Sequence, residues 1–63
     1  MKGYAPIEQD NDARETRQRL ERALTGLGFR VEAVREDLQR NVHVIEFAND
    51  YGVYTMEIAR TGS

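Results

Sequence analysis

The sequence contains no cysteine and no tryptophan, and it has one proline among 63 residues. Without cysteine, neither disulfide bonds nor thiolate metal ligands can stabilise a chain of this length. No run of apolar residues approaches the roughly 20 that a transmembrane helix needs, and residues 1–6 lack the apolar centre of a secretory signal peptide. We therefore expect a cytoplasmic protein that is not associated with a membrane.

A strong excess of one charge is also lacking. Nine basic and eleven acidic residues leave a net charge of −2, so a general electrostatic attraction to nucleic acid or anionic lipid is not expected. The length allows one domain, which would bury only about 60% of the surface of its unfolded chain. We expect residues 1–9 to form an irregular arm, residues 10–60 the domain, and residues 61–63 a flexible tail.

The clearest pattern in the sequence is the alternation of side chains over residues 42–59, interrupted by turn-forming residues at 49–52. Such alternation is typical of β-strands, and turn residues between two alternating runs predict a β-hairpin. Pairing Phe47 with Tyr54 keeps each apolar set on one face of the hairpin. This register leaves residues 49–52 as a four-residue loop, in which Gly52 is expected to adopt a left-handed conformation.

A helix is predicted ahead of the hairpin, because apolar side chains recur at helical spacing over residues 13–27. We expect the N-cap within residues 10–12, where Asp12 and Glu15 have the spacing of a capping box, and a helix that spans about residues 12–27. Gly28 is suited to the left-handed position that commonly follows a helix.

A further strand is predicted between the helix and the hairpin. We expect Arg35 to face Asn41, a register that places Arg30 opposite Glu46. The predicted fold is a two-layer α+β domain of the order α-β-β-β, with the helix on one face of a three-stranded antiparallel meander. The predicted strands are about 29–35, 41–48 and 53–60.

The sheet face turned away from the helix, here called the open face, is predicted to carry several valines and alanines. A solvated sheet face is normally more polar, and contiguous exposed apolar surface tends to mark an interaction site. Isolated exposed valines can also reflect β-propensity alone. Leu38 and Tyr51 are candidate anchors at the two loop tips. The predicted partner-binding residues are Val34, Val42, Val44, Ala48, Val53, Thr55, Leu38 and Tyr51.

His43 is the single histidine, and histidine is the side chain whose ordinary pKa lies nearest to neutral pH. It is predicted on the helix side of the middle strand, near Thr16 and Arg17, where burial beside a cation would lower its pKa. No nucleophile, carboxylate set or second histidine is predicted to converge on it. The sequence therefore predicts no catalytic residue, no cofactor and no metal site.

A helix that ends at residues 27–29 in Leu-Gly-Phe, followed by three antiparallel strands, resembles the first four elements of the double-stranded-RNA-binding fold. The layout is also similar to that of HicA-type toxins, which cleave RNA with a histidine on a middle strand. This resemblance implies RNA binding or cleavage as an alternative function. The sequence departs from those toxins at residues 41–42, where they carry a small Gly-Ser-type pair. The alternative RNA site consists of His43, Arg14, Arg19 and Arg22.

The first hypothesis from the sequence is a non-enzymatic protein–protein interaction module. It would act as a homodimer, or as a small regulator or inhibitor similar in size and composition to phage- or plasmid-borne accessory proteins. Its contact surface would be the open face or an edge strand of the sheet. A protein partner or a second copy is expected, and nucleic acid is not.

Overall fold

The structure, a computed structural model, describes residues 5–62. One α-helix packs against a three-stranded antiparallel sheet in the order β1-β2-β3, which confirms the predicted α+β fold. Along the chain, one 3-10 helix is followed by one α-helix and three strands. They are the 3-10 helix Ile7–Gln9, α1 Asn11–Gly26, β1 Arg30–Asp37, β2 Val42–Asn49 and β3 Gly52–Ile58.

Local hydrogen bonds define both ends of α1. Asp10 is the N-cap, and its carboxylate accepts a backbone hydrogen bond of 3.1 Å from the first turn. The N-cap thus lies within the predicted residues 10–12, at Asp10 and not at the Asp12 of the capping-box spacing. At the other end Gly28 adopts the predicted left-handed conformation, with φ 95°. The N–H of Phe29 then reaches back 3.0 Å to the C=O of Leu24, which also accepts a hydrogen bond of 3.1 Å from the N–H of Leu27.

The predicted β2–β3 register is confirmed. Phe47 pairs with Tyr54, and Ile45 pairs with Met56. Because residues directly opposite each other share a face, these four side chains lie together on the helix side of the sheet.

The turn of this hairpin is shorter than predicted. Asn49 and Gly52 already pair within the ladder, so Asp50 and Tyr51 alone form the turn. The Asn49 Oδ1 accepts hydrogen bonds from the N–H groups of Tyr51 at 2.8 Å and Gly52 at 3.1 Å. These bonds close the turn without a positive φ at Gly52, and the predicted left-handed glycine is wrong.

The predicted β1–β2 register is wrong. Val31 pairs with Phe47, but Val34 rather than Ala33 continues on that face and pairs with Ile45. The ladder is irregular between Val31 and Ala33, where the strand carries an extra residue as a β-bulge. A bulge reverses the alternation of faces beyond it, and Val34, predicted on the open face, therefore lies on the helix side.

The loop between β1 and β2 explains why the strand extends beyond its predicted end. Asn41 takes a left-handed conformation with φ 57°, which asparagine tolerates better than most residues. The carboxylate of Asp37 accepts a hydrogen bond of 3.1 Å from the N–H of Arg40. These features close a tight loop over residues 38–41, so Asp37 pairs directly with Val42.

α1 crosses the sheet diagonally. Ala13 and Thr16 in its first turns line a shallow groove with Ile58 at the end of β3. Thr25 in its last turn lies beside Val31 on β1. The helix therefore leaves two opposite corners of the sheet uncovered, one at the end of β1 and one at the start of β3.

The first of these corners is filled by the segment before α1. Ile7 is 1% exposed, and its N–H donates a hydrogen bond of 2.6 Å to the side chain of Asn41 at the β1–β2 loop. Ile45 and His43, both 0% exposed, occupy the centre of the core with Leu24 of α1. The residues predicted as an irregular arm thus contribute a 3-10 helix and a core side chain, while residues 1–4 lie outside the described range.

Candidate functional site

The apolar residues that β2 contributes to the open face are buried. Val42, Val44 and Ala48 are 5%, 2% and 2% exposed, so the prediction that they form an exposed binding surface is wrong. The register also places Arg30 opposite Ala48 and not opposite Glu46.

Charged side chains from the flanking strands cover this face. Arg35 and Glu57 lie directly opposite Val44, one on each side. Arg35 forms an ion pair with Glu46, and Arg40 forms a two-pronged ion pair with Glu57, whose pKa it holds below the ordinary value. Arginine stems cover apolar surface while their guanidinium groups stay in water. We infer that these stems shield the valines.

The other predicted partner-binding residues do not converge on one surface. Val53 and Thr55 are exposed on β3, and Tyr51, 91% exposed, lies at the adjoining turn. Leu38, 58% exposed, lies at the β1–β2 loop, at the opposite end of the sheet. Val34 is half-buried on the helix side.

The second corner that α1 leaves uncovered holds three aromatic rings. The ring centroids of Phe29 and Phe47 are 5.3 Å apart, and those of Phe47 and Tyr54 are 5.7 Å apart. Tyr54 is 43% exposed, and Leu27, at the end of α1, is 75% exposed. We call Phe29, Phe47 and Tyr54 the aromatic corner. Exposed aromatic and aliphatic side chains together are typical of protein contacts.

The sequence predicted that Phe47 pairs with Tyr54 and included Leu27 in the apolar pattern of the helix, but it did not indicate that Tyr54 and Leu27 are exposed. Their exposure depends on the diagonal crossing of α1, which alternation and helical spacing do not specify. One signal was present: Gly26 and Gly28 end the helix before it extends over the rings.

The two edges of the sheet differ in how they are protected. β1 carries five charged residues among its eight, as well as the bulge. β3 carries one, Glu57, and has neither proline nor a break in its ladder. Charges and bulges are the usual means of preventing an edge strand from pairing with another chain. Within residues 5–62, β1 has this protection, whereas the outer edge of β3 has none and pairs with no strand.

The turn fixes which backbone groups of β3 face outward. Asn49 and Gly52 flank a two-residue turn, and such a pair exchanges both of its hydrogen bonds. Hydrogen-bonded and non-hydrogen-bonded pairs then alternate along the ladder. The N–H and C=O groups of Val53, Thr55 and Glu57 therefore point away from β2, along the free edge.

His43 lies inside the core. It is 0% exposed, and neither ring nitrogen has a hydrogen-bond partner among the described residues. Burial lowers its pKa, and the charge of Arg17 lowers it further. His43 is therefore buried near Arg17, as predicted, but without the hydrogen bond that a packed histidine usually makes. In this conformation the ring cannot contact a substrate.

The structure does not bring the alternative RNA site together. Arg14 donates a hydrogen bond to the C=O of Glu8. Arg19 and Arg22 are exposed beside Glu15 on the outer face of α1. These three arginines and the enclosed His43 therefore share no common surface.

A buried ion pair joins the start and the end of the domain. Asp10 is 7% exposed, and the guanidinium of Arg60 donates to its two carboxylate oxygens at 2.8 and 2.9 Å. The hydrogen bond from Arg60, followed by that from Ala13, holds the pKa of Asp10 well below its ordinary value. Because both oxygens are occupied by protein donors, this carboxylate has a structural role.

Two further kinds of site can be addressed within residues 5–62. No group of three histidine, aspartate or glutamate side chains in this range is placed to hold a metal ion. No helix there is long and apolar enough to cross a bilayer.

Comparison of the chain with protein-family models, with curated proteins and with solved structures finds no match. Inference about function therefore rests on the aromatic corner and the adjoining edge of β3. Tyr54 belongs to both, which makes them one continuous surface.

Proposed function

We propose that this protein is a small non-enzymatic interaction module, a regulator or inhibitor that docks on another polypeptide through the edge of β3 and the aromatic corner. The observation that carries the proposal is the contrast between the two edges of the sheet. The charged, bulged edge of β1 opposes pairing with a further strand, whereas the edge of β3 offers unpaired backbone groups beside the exposed ring of Tyr54.

An extended segment of a partner would add to β3 as a fourth strand. Its backbone would pair with the outward groups of Val53, Thr55 and Glu57, and those hydrogen bonds would supply affinity without regard to sequence. Side chains on its helix-side face would lie beside Tyr54 and Met56, which share that face in the β2–β3 register. Contacts with the aromatic corner would then discriminate between partners.

The position of His43 also favours binding over catalysis. It is the side chain best suited to acid–base chemistry at neutral pH, and it is enclosed by the core. The exposed apolar side chains at the turn end of the sheet instead have the composition of a contact surface, since they include Leu27, Tyr51 and Tyr54.

The test is selection of short random peptides displayed on phage against the wild-type protein, after depletion on the variant Thr55→Pro. Proline at this position removes an N–H that faces solvent at the free edge and leaves the β2–β3 ladder intact. We expect the retained peptides to have alternating apolar residues. In the complex they should slow hydrogen exchange at the amides of Val53, Thr55 and Glu57.

Peptides that bind wild type and Thr55→Pro equally, or that protect amides elsewhere, would contradict the proposed docking surface. Retention of the far-ultraviolet circular dichroism spectrum by Thr55→Pro is the control that the variant is folded.

A further inference from the structure

We infer that the strand accepted by β3 is β3 of a second copy of this chain, paired antiparallel about a two-fold axis at Thr55. This inference rests on the proposed function, because it names the occupant of the same edge. Its basis is the self-complementarity of β3 in one particular register.

In that register the outward-facing backbone N–H and C=O groups of the two β3 strands lie opposite each other. Thr55 faces Thr55 of the second copy, and Val53 faces Glu57. These are the three residues of β3 whose N–H and C=O groups point outward, so each outward group meets an outward group. Shifting the pairing by one residue would set Thr55 against Tyr54 or Met56, whose backbone groups are already bonded to β2.

The side chains also match across the axis. On the helix side, Tyr54 would lie opposite Met56 of the second copy in a non-hydrogen-bonded pair, where side chains approach most closely. Contacts between a thioether and an aromatic ring are favourable, and the contact would cover a tyrosine that is 43% exposed in one copy. On the open face, two threonines would meet, a pair that stabilises adjacent strands.

Charge permits this pairing at β3 and opposes it at β1. The single charged residue of β3, Glu57, would lie opposite Val53, and the two copies of Glu57 would sit at opposite ends of the pairing. Each remains neutralised by its own Arg40. β1 would instead bring a strand with five charged residues and a bulge against its own copy.

The dimer would be a continuous six-stranded sheet. A two-fold axis perpendicular to the sheet keeps the two copies of α1 on the same side. The uncovered corner of each copy, at the start of β3, then lies beside the end of β3 of the other copy, where Ala13 and Thr16 of α1 line the groove with Ile58. A chain this short gains core by association, which is a common solution for small domains.

The first measurement is mass by sedimentation and light scattering over a wide range of protein concentration. We expect the mass to rise from the 7.3 kDa of one chain to twice that value. Hydrogen exchange at the amides of Val53, Thr55 and Glu57 should slow over the same range.

The second measurement compares two lysine variants that differ only in the edge they alter. Ala33 on β1 and Thr55 on β3 both pair with Glu46 of β2. Both side chains are exposed on the open face. We expect Thr55→Lys to be monomeric at concentrations where Ala33→Lys is fully dimeric, because two lysines would face each other at the axis.

Mixing Thr55→Lys with Thr55→Glu should restore dimers, because opposite charges would then meet across the axis. Wild-type protein that stays monomeric at every concentration, dimers that tolerate Thr55→Lys, or a mixture that stays monomeric would each overturn the inference. If the wild type is monomeric while selected peptides still protect the β3 edge, self-pairing is wrong and the proposed docking function stands. If neither the second copy nor a peptide protects that edge, both are wrong.

Discussion

Arg60 donates hydrogen bonds from Nε and Nη2 to the two carboxylate oxygens of Asp10, a residue fifty positions earlier in the chain. The same carboxylate caps the first turn of α1. One side chain therefore fixes both the start of the helix and the segment that follows β3.

The first prediction is that Asp10→Ala lowers the free energy of unfolding more than Asp12→Ala does. Asp12 is a suitable control because its side chain is 85% exposed and lies 3.6 Å from the same Arg60. Urea unfolding at neutral pH measures the difference. Equal effects of the two substitutions would show that the Asp10 ion pair is not a significant contributor.

The same pair predicts a loss of stability in acid. The pKa of Asp10 is lower in the folded chain than its ordinary value of 3.8, so the unfolded chain binds more protons as the pH falls below that value. The contribution of this carboxylate is therefore present above about pH 3.8 and is lost progressively below it. Asp10→Asn should show a weaker dependence of the unfolding free energy on pH in this range than the wild type.

His43 predicts a second pH dependence, at milder acidity. The ring is buried and faces Arg17 and Arg14 from α1, Glu36 from β1 and Asp10, and its pKa lies below the ordinary 6.5. The unfolded chain therefore binds a proton at a pH where the folded chain does not, and the free energy of unfolding falls as the pH drops below about 6.5. One proton limits the slope to about 1.4 kcal/mol per pH unit.

His43→Leu should remove this slope while leaving the acid dependence from Asp10 in place. Urea unfolding at several pH values from neutral to mildly acidic makes the comparison. An unchanged slope in His43→Leu would mean that another group titrates there.

Ile45 should be the most sensitive apolar position of β2. It is 0% exposed, and truncation of a buried isoleucine to alanine typically costs about 2–5 kcal/mol, which approaches the whole stability expected of a small domain. Val53→Ala, at a position 70% exposed on the neighbouring strand, should change stability by less than about 0.5 kcal/mol. Thermal unfolding followed by circular dichroism distinguishes the two, and similar melting temperatures would contradict the assignment of the core.

Two substitutions of Arg35 distinguish the stability gained by shielding the valines from the stability gained by its ion pair. Arg35→Met keeps an aliphatic stem over Val44 and removes the charge, whereas Arg35→Ala removes both. If the stem shields the open face, Arg35→Met should remain near the wild type and Arg35→Ala should lose about 1 kcal/mol. Equal losses in the two variants would assign the effect to the ion pair with Glu46.

RNA binding is expected to be absent. A titration with structured RNA at low ionic strength, where phosphate contacts are strongest, should show no salt-dependent binding. The reasons are the enclosure of His43 and the glutamate beside Arg19 and Arg22. Binding that weakens steeply with salt and is abolished by Arg19→Ala would revive the alternative.

The sequence determined the elements and the β2–β3 register because those depend on local patterns. Alternation around Phe47 and Tyr54 specifies one register, and a shift by one residue would turn a glutamate toward the core. The β1–β2 register could not be read in the same way. The bulge after Val31 shifts by one residue which side chains of β1 face the helix, so Val34 and Ala33 lie on the faces opposite to those predicted. The left-handed Asn41 shortens the loop that follows, which the alternation also does not indicate.

The candidate site was less accessible to sequence reasoning than the fold, because it depends on how elements cross. Alternation placed Val42 and Val44 correctly on the face away from the helix. It did not indicate that Arg35 and Arg40 would reach across them to Glu46 and Glu57. In contrast, the sequence analysis already named an edge strand as a possible contact surface, and the difference in charge content between β1 and β3 is visible in the sequence.

The contact between Asp10 and Arg60 has a consequence for how the domain is attached to anything else. The described chain begins beside the β1–β2 loop, where Ile7 contacts Asn41, and leaves the sheet after Ile58, so both points lie at one end of the sheet. Tyr54 and Phe29 lie at the far end. A tether or a fluorescent label that replaces the residues before Ala5 or after Gly62 would therefore join the domain at the end remote from the aromatic rings. The domain could be grafted into a surface loop of a carrier protein with its contact surface still facing outward.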